Sequence, residues 1–208
     1  MSWLLTLSGL AVILVKCGTI PSIRVPVTES SYINISKEET EVGNKDRDRL
    51  NDASAANSIG VLKEFQGDDK SALADYDRAI NLDPKNDVHY SNRGMFFANS
   101  GNTQRALSDY DTAIKINPNN PITYDNRGFL KARIGDSQGA LSDYTQAIKI
   151  DLNFDPSYNN RAKLYESIGD NKNAINDLKK VAEIYKATDR EAEYQQVIQQ
   201  INNLNIRI

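Results

Sequence analysis

The sequence predicts an all-α solenoid of four helical hairpins in a row, with a further helix over the C-terminal end. Three observations predict it. From Ala53 the chain repeats every 34 residues without a gap, over 53–86, 87–120, 121–154 and 155–188. A glycine recurs in phase near the middle of each window, at Gly67, Gly101, Gly135 and Gly169. Behind each glycine runs an apolar stripe at helical spacing, in the second window Ala106, Leu107, Tyr110, Ala113 and Ile114.

With positions in a window numbered from its first residue, each element has a physical reason. Position 8 (Gly60, Gly94, Gly128, Ala162) and position 20 (Ala72, Ala106, Ala140, Ala174) are small, as required where two helices cross closely. The glycine at position 15 takes the left-handed conformation that ends helix A, and the Asp68, Asn102, Asp136 or Asp170 after it suits a tight turn. Position 24 (Tyr76, Tyr110, Tyr144, Leu178) and position 27 (Ala79, Ala113, Ala147, Val181) continue the apolar face of helix B. Pro84 and Pro118 at position 32 are expected to stop helix B, with Leu152 and Lys186 departing from that pattern. The segment 189–208 places Tyr194, Val197, Ile198, Ile201 and Leu204 on one helical face, suited to capping the last repeat.

These positions resemble the tetratricopeptide-repeat family across residues 53–188, several residue classes recurring together. The resemblance implies a protein-interaction scaffold in which helix A lines a concave groove, its positions 2, 5, 9, 12 and 13 facing the ligand. The candidate partner-binding residues are Asn57, Val61, Val88, Ser91, Asn92, Met95, Ile122, Asp125, Asn126, Phe129, Arg133 and Asn160. The apolar ones suit an extended or helical peptide, unless they pack on neighbouring hairpins instead. Chaperone-binding members grip a terminal carboxylate with a clamp of two lysines, two asparagines and an arginine. Here one frame of that clamp reads Asn57, Val61, Asn92, Ile122 and Asn126, and the other Ser91, Met95, Asn126, Pro156 and Asn160. Neither frame holds a cation, so binding through that clamp is not expected. The same signature fits an assembly or chaperone-like factor for a membrane complex.

A polar pair recurs as well: Arg93, Arg127 and Arg161 at position 7, and Asp75, Asp109, Asp143 and Asp177 at position 23. Because Ile59 replaces the arginine in the first window, each aspartate is expected to meet the arginine of the following repeat, leaving Asp177 alone.

Upstream, Trp3–Val15 is an uncharged, largely apolar run, shorter than the roughly 20 residues of a spanning helix and near the length of a signal h-region. Leu14-Val15-Lys16-Cys17 resembles a lipoprotein box, with Lys16 where a small residue normally stands, which makes Cys17 a candidate for lipid attachment. Residues 1–17 are therefore read as a signal-like or anchoring segment, implying a membrane-associated or exported chain. Lys16 and Arg24 after the run would favour the cytoplasmic side, which leaves the side open. Residues 18–52 read as a flexible polar tether with too little apolar surface to order itself.

Composition excludes other classes. A net charge of −3 does not suit a nucleic-acid surface. One histidine and one cysteine allow neither a His-based metal site nor an intrachain disulfide. No phosphate loop and no nucleophile with a base is present, so no catalysis and no cofactor is expected. His89 reads as an ordinary surface residue.

Overall fold

The computed structural model describes the backbone of residues 29–206 and the side chains of residues 43–206. Segment 1–17, with Cys17, and residues 18–28 lie outside the described residues. The chain divides into two compact units, Met1–Gly43 and Asn44–Ile208. In the described part the elements are all helices: α1 Glu29–Phe65, α2 Asp69–Leu82, α3 Asp87–Asn99, α4 Thr103–Ile116, α5 Pro121–Arg133, α6 Ser137–Ile150, α7 Asp155–Ser167, α8 Asn171–Ala187 and α9 Glu191–Asn205. None of them is long and apolar enough to cross a membrane.

The polar stretch expected as a coil is helical from Glu29 onward, where it runs into α1. Extending a helix that is already nucleated costs little, because each added residue closes a backbone hydrogen bond without burying apolar surface. The local charges help, with Arg49 3.4 Å from Asp46 one turn away.

Helix A occupies positions 1–13 in α3, α5 and α7, and helix B starts at position 17 throughout. The position-15 glycines all have positive φ, between 76° and 85°. In three of the four turns the residue after the glycine also caps helix B. Asp68, Asp136 and Asp170 accept the backbone N–H three residues on, so one short turn ends one helix and starts the next. Proline is not what ends helix B. α6 stops at the same repeat position as α2 and α4 although Leu152 replaces proline. The common feature is Asp83, Asn117 or Asp151 at position 31, whose side chain accepts the N–H two residues later. The fourth unit has Tyr185 there, and α8 continues to Ala187.

Each hairpin closes on the position-24 side chain. Tyr76, Tyr110 and Tyr144 are fully buried, and a Cβ added at Gly60, Gly94 or Gly128 would lie 2.9–3.0 Å from the facing ring. The fourth unit makes the compensating change, pairing Ala162 with the smaller Leu178, both 1% exposed. Behind the crossing, Ala72, Ala106, Ala140 and Ala174 are completely buried. At the C-terminal end α9 packs Val197, Ile201 and Leu204 into one cluster with Leu178, Val181 and Tyr185 of α8. There Arg190 stacks 4.0 Å above the Tyr185 ring and reaches Asp155 at 3.4 Å.

The arginine ladder exists with a different register from the one expected. Arg93 donates through Nε and Nη2 to Asp109 of its own hairpin, both at 2.8 Å, and through Nη1 to Asp77 of the preceding hairpin at 2.6 Å. Arg127 binds Asp143 and Asp111 in the same way. Arg161 binds Asp177 and Thr145, so Asp177 is paired. Position 23 therefore fixes the arginine within a hairpin, and position 25 ties it backward to the previous one. The first unit has no hairpin before it among the described residues. It carries Ile59 at position 7, and Asp75 pairs with Lys63.

His89 is not a surface residue. It is 2% exposed, like Thr123 and Ser157 (both 0%) at the same position 3, and neither ring nitrogen has a hydrogen-bond partner. Burial lowers its pKa below the ordinary value against the opposing pull of Asp83 and Asp87.

Three outcomes test this packing. Gly94→Ala should destabilise the protein by about 1–3 kcal/mol in chemical denaturation, and by less when combined with Tyr110→Leu, the pairing of the fourth hairpin. Arg93→Gln and Asp109→Asn should be coupled by about 1 kcal/mol or more in a double-mutant cycle, whereas Arg93→Gln with Asp75→Asn should add within about 0.5 kcal/mol. For His89 the folded pKa lies below the unfolded one, so its contribution is present above about pH 6.5 and is lost as pH falls through the folded value. Between pH 7.5 and 5.5 the wild type should thus lose more stability than His89→Thr, measured by urea unfolding.

Candidate functional site

Residues at positions 2, 5, 9 and 12 of one helix lie on one face, because the spacings i+3, i+7 and i+10 return to it. With A helices side by side, those faces form a single concave surface, and the hairpins decide which of its residues remain open. α3 contacts α5, and α5 contacts α7.

The predicted residues divide into two groups. Val61, Val88, Met95, Ile122 and Phe129 are open, between 37% and 53% exposed, and recur along consecutive A helices. Arg133 is exposed too. The polar candidates at positions 5 and 6 are instead engaged between hairpins. Asn92 donates to Asn57 at 3.2 Å across the first junction. Thr123 donates to Ser91 at 3.4 Å across the second. At the third, Ser157 donates to Asp125 at 2.6 Å, and Asn160 donates to both carboxylate oxygens, at 3.2 and 3.1 Å. These residues form a polar seam that sets how one helix A lies on the next. Asn126 is half-buried between the two kinds of position. Asp125 is only 8% exposed, and burial raises its pKa, opposed by the hydrogen bonds from Ser157 and Asn160.

The concave face also contains residues outside the predicted set. Between α5 and α7 opens a concavity of about 260 Å³, with Tyr144, Lys163 and Leu164 in its wall beside Phe129, Arg133 and Asn160. Tyr144 occupies position 24, a helix B position that sequence periodicity assigns wholly to the hairpin interior. Its ring is in that interior, and its hydroxyl end reaches the groove. In the first hairpin the equivalent Tyr76 donates to Glu64 on the concave side at 2.8 Å. Among the described residues no group of three or more His, Cys, Asp or Glu could hold a metal ion.

The surface carries apolar side chains along its length, engaged polar side chains in its seams, and two cations beside one hollow. The family model described as tetratricopeptide repeat matches residues 53–86, 90–120 and 155–188. The unmatched third hairpin has its helices at the same repeat positions as the second. No curated protein matches the chain in sequence. Among solved structures, the Arabidopsis OM64 TPR domain superposes with a TM-score of 0.54 at 20% identity, covering 57% of this chain and 98% of that domain. The first TPR domain of Spaghetti (RPAP3), solved bound to the HSP90 peptide SRMEEVD, gives 0.53 at 22% identity, covering 57% and 94%. Pseudomonas aeruginosa PilF gives 0.60 at 13% identity, covering 74% and 77%. The repeated hairpin and the family match identify residues 53–86, 90–120 and 155–188 as tetratricopeptide repeats, stacked in the solenoid fold of a protein–protein interaction scaffold.

Proposed function

We propose that this scaffold holds a peptide segment of a partner protein along its concave face, and that residues 1–17 bring it to a membrane. The observation that carries the first part is the row of five open apolar side chains, Val61, Val88, Met95, Ile122 and Phe129, in the middle of a surface whose seams are polar and satisfied. Exposed large apolar side chains in a continuous row are a binding feature when they recur in register on a rigid support. The clamp positions hold no cation, so the expected grip is apolar along the groove rather than a terminal-carboxylate clamp. The membrane part rests on the apolar run Trp3–Val15.

A photoreactive residue at position 122 in the groove, compared with one at position 104 on helix B, tests both parts in membrane and soluble fractions. Crosslinked partners should appear from position 122, concentrate in the membrane fraction, and fall about tenfold or more with Met95→Asp plus Phe129→Asp, which leave the hairpin interiors untouched. Equal crosslinking from position 104, or no loss with the double substitution, would remove the groove from the account.

A further inference from the structure

The first hairpin fills from its own sequence a place that the third leaves open. In the first, the buried Tyr76 sends its hydroxyl to the concave side, where it donates to Glu64 Oε2 at 2.8 Å. Asn99 of the next hairpin donates to the other carboxylate oxygen at 3.0 Å. Glu64 stands at position 12. In the third hairpin Tyr144 is equally buried against Gly128, at 1% exposure, but position 12 is Ala132. With the carboxylate side chain gone, the hollow of about 260 Å³ opens where it would lie. Tyr144 lines that hollow, and its hydroxyl makes no hydrogen bond among the described residues. Burial raises its pKa, which keeps the phenol protonated and therefore a donor.

The surroundings differ in charge from those of Glu64. Arg133 and Lys163 line the hollow, and neither has an ion-pair partner among the described residues. Their counterparts beside Glu64 are Phe65 and Met95. A carboxylate entering from outside would thus find a phenol donor at the bottom and two cations near it, with Phe129 and Leu164 to cover its methylene groups.

We propose that this hollow binds a glutamate side chain of an acidic peptide, seated on the Tyr144 hydroxyl as Glu64 is seated on Tyr76. The inference rests on the groove-binding reading above and names the chemistry of its ligand at the junction of the third and fourth hairpins. A side-chain carboxylate is the occupant because the chain itself places one, Glu64, at the equivalent point. The phenol and the space at position 12 lie outside the clamp positions considered earlier.

Two experiments on the full chain test it. Ala132→Glu supplies the carboxylate internally. It should raise Tm by about 2–4 °C, a rise abolished by Tyr144→Phe and reduced by Lys163→Gln. A fall in Tm, or a rise that survives Tyr144→Phe, overturns the seating on the phenol. For the ligand, a random peptide library displayed as C-terminal amides is selected on the wild-type chain. Enriched peptides should contain glutamate and lose about tenfold or more in affinity when it becomes glutamine, or when the chain carries Lys163→Gln or Ala132→Glu. Peptides that bind only with a free C-terminus would assign the hollow to a terminal carboxylate and overturn the glutamate assignment. Peptides abolished by Met95→Asp but indifferent to Lys163→Gln would overturn the glutamate site and leave the groove intact. Selection of no groove-dependent peptide would overturn both.

Discussion

Much of this structure depends on a tyrosine ring laid against a backbone that carries no side chain. At Gly60, Gly94 and Gly128 the two helices of a hairpin approach until the ring of position 24 touches the Cα of position 8, and there is no room for a methyl group. That contact sets the separation and crossing of the hairpin, and so fixes where helix A presents its outer positions. In the first hairpin it also delivers the Tyr76 hydroxyl to Glu64 on the concave side, and in the third it brings Tyr144 to the wall of the hollow. The fourth hairpin shows that bulk can be moved from one helix to the other, since Ala162 and Leu178 meet there without exposure. What is held constant is the combined volume at the crossing.

A second interaction repeats at the scale of the stack. Each position-7 arginine grips one aspartate of its own hairpin with a two-pronged hydrogen bond and spends its remaining nitrogen on the hairpin before it. The planar guanidinium can do both because its donors point in fixed, divergent directions. Aromatic side chains at position 4 stack against it, with Tyr90, Tyr124 and Tyr158 5.7–5.9 Å from Arg93, Arg127 and Arg161 respectively. These pairs are half-buried and multiply bonded, which lifts them above the small value of an isolated surface ion pair. Asp143 takes a further bond from Lys131, a second cation that Asp109 and Asp177 do not have among the described residues.

The concave face divides its residues between those that hold the stack and those that are left open. Positions 5 and 6, Asn126 apart, are used for the seam and positions 2 and 9 are left open, which is why Asn57, Ser91, Asn92, Asp125 and Asn160 turn out to be engaged while the apolar candidates are open. The division has a physical basis. A polar side chain between two packed helices must be hydrogen-bonded to be tolerated there, whereas an apolar side chain in the open trough keeps its surface for a ligand. Rigidity in the seam and apolar area in the trough both favour the binding proposed above, since a preorganised surface loses less entropy on binding.

Recurrence alone determined the all-helical class, the left-handed glycines and the buried alanines, because each depends on local conformation or on small size at a fixed phase. It could not assign partners across repeats. An arginine bonded within its own unit and one bonded to the previous unit produce the same periodic pattern, and the difference appears only at the ends, where Ile59 misled and Asp177 proved paired. It could not separate the causes of helix termination, because proline and the position-31 Asp or Asn stand side by side until Leu152 breaks the association. Nor could it show that a helix B tyrosine reaches the groove or that His89 is buried, since both follow from how neighbouring hairpins close around a side chain. Those choices belong to tertiary packing, where distance in space rather than phase in sequence decides what each residue touches.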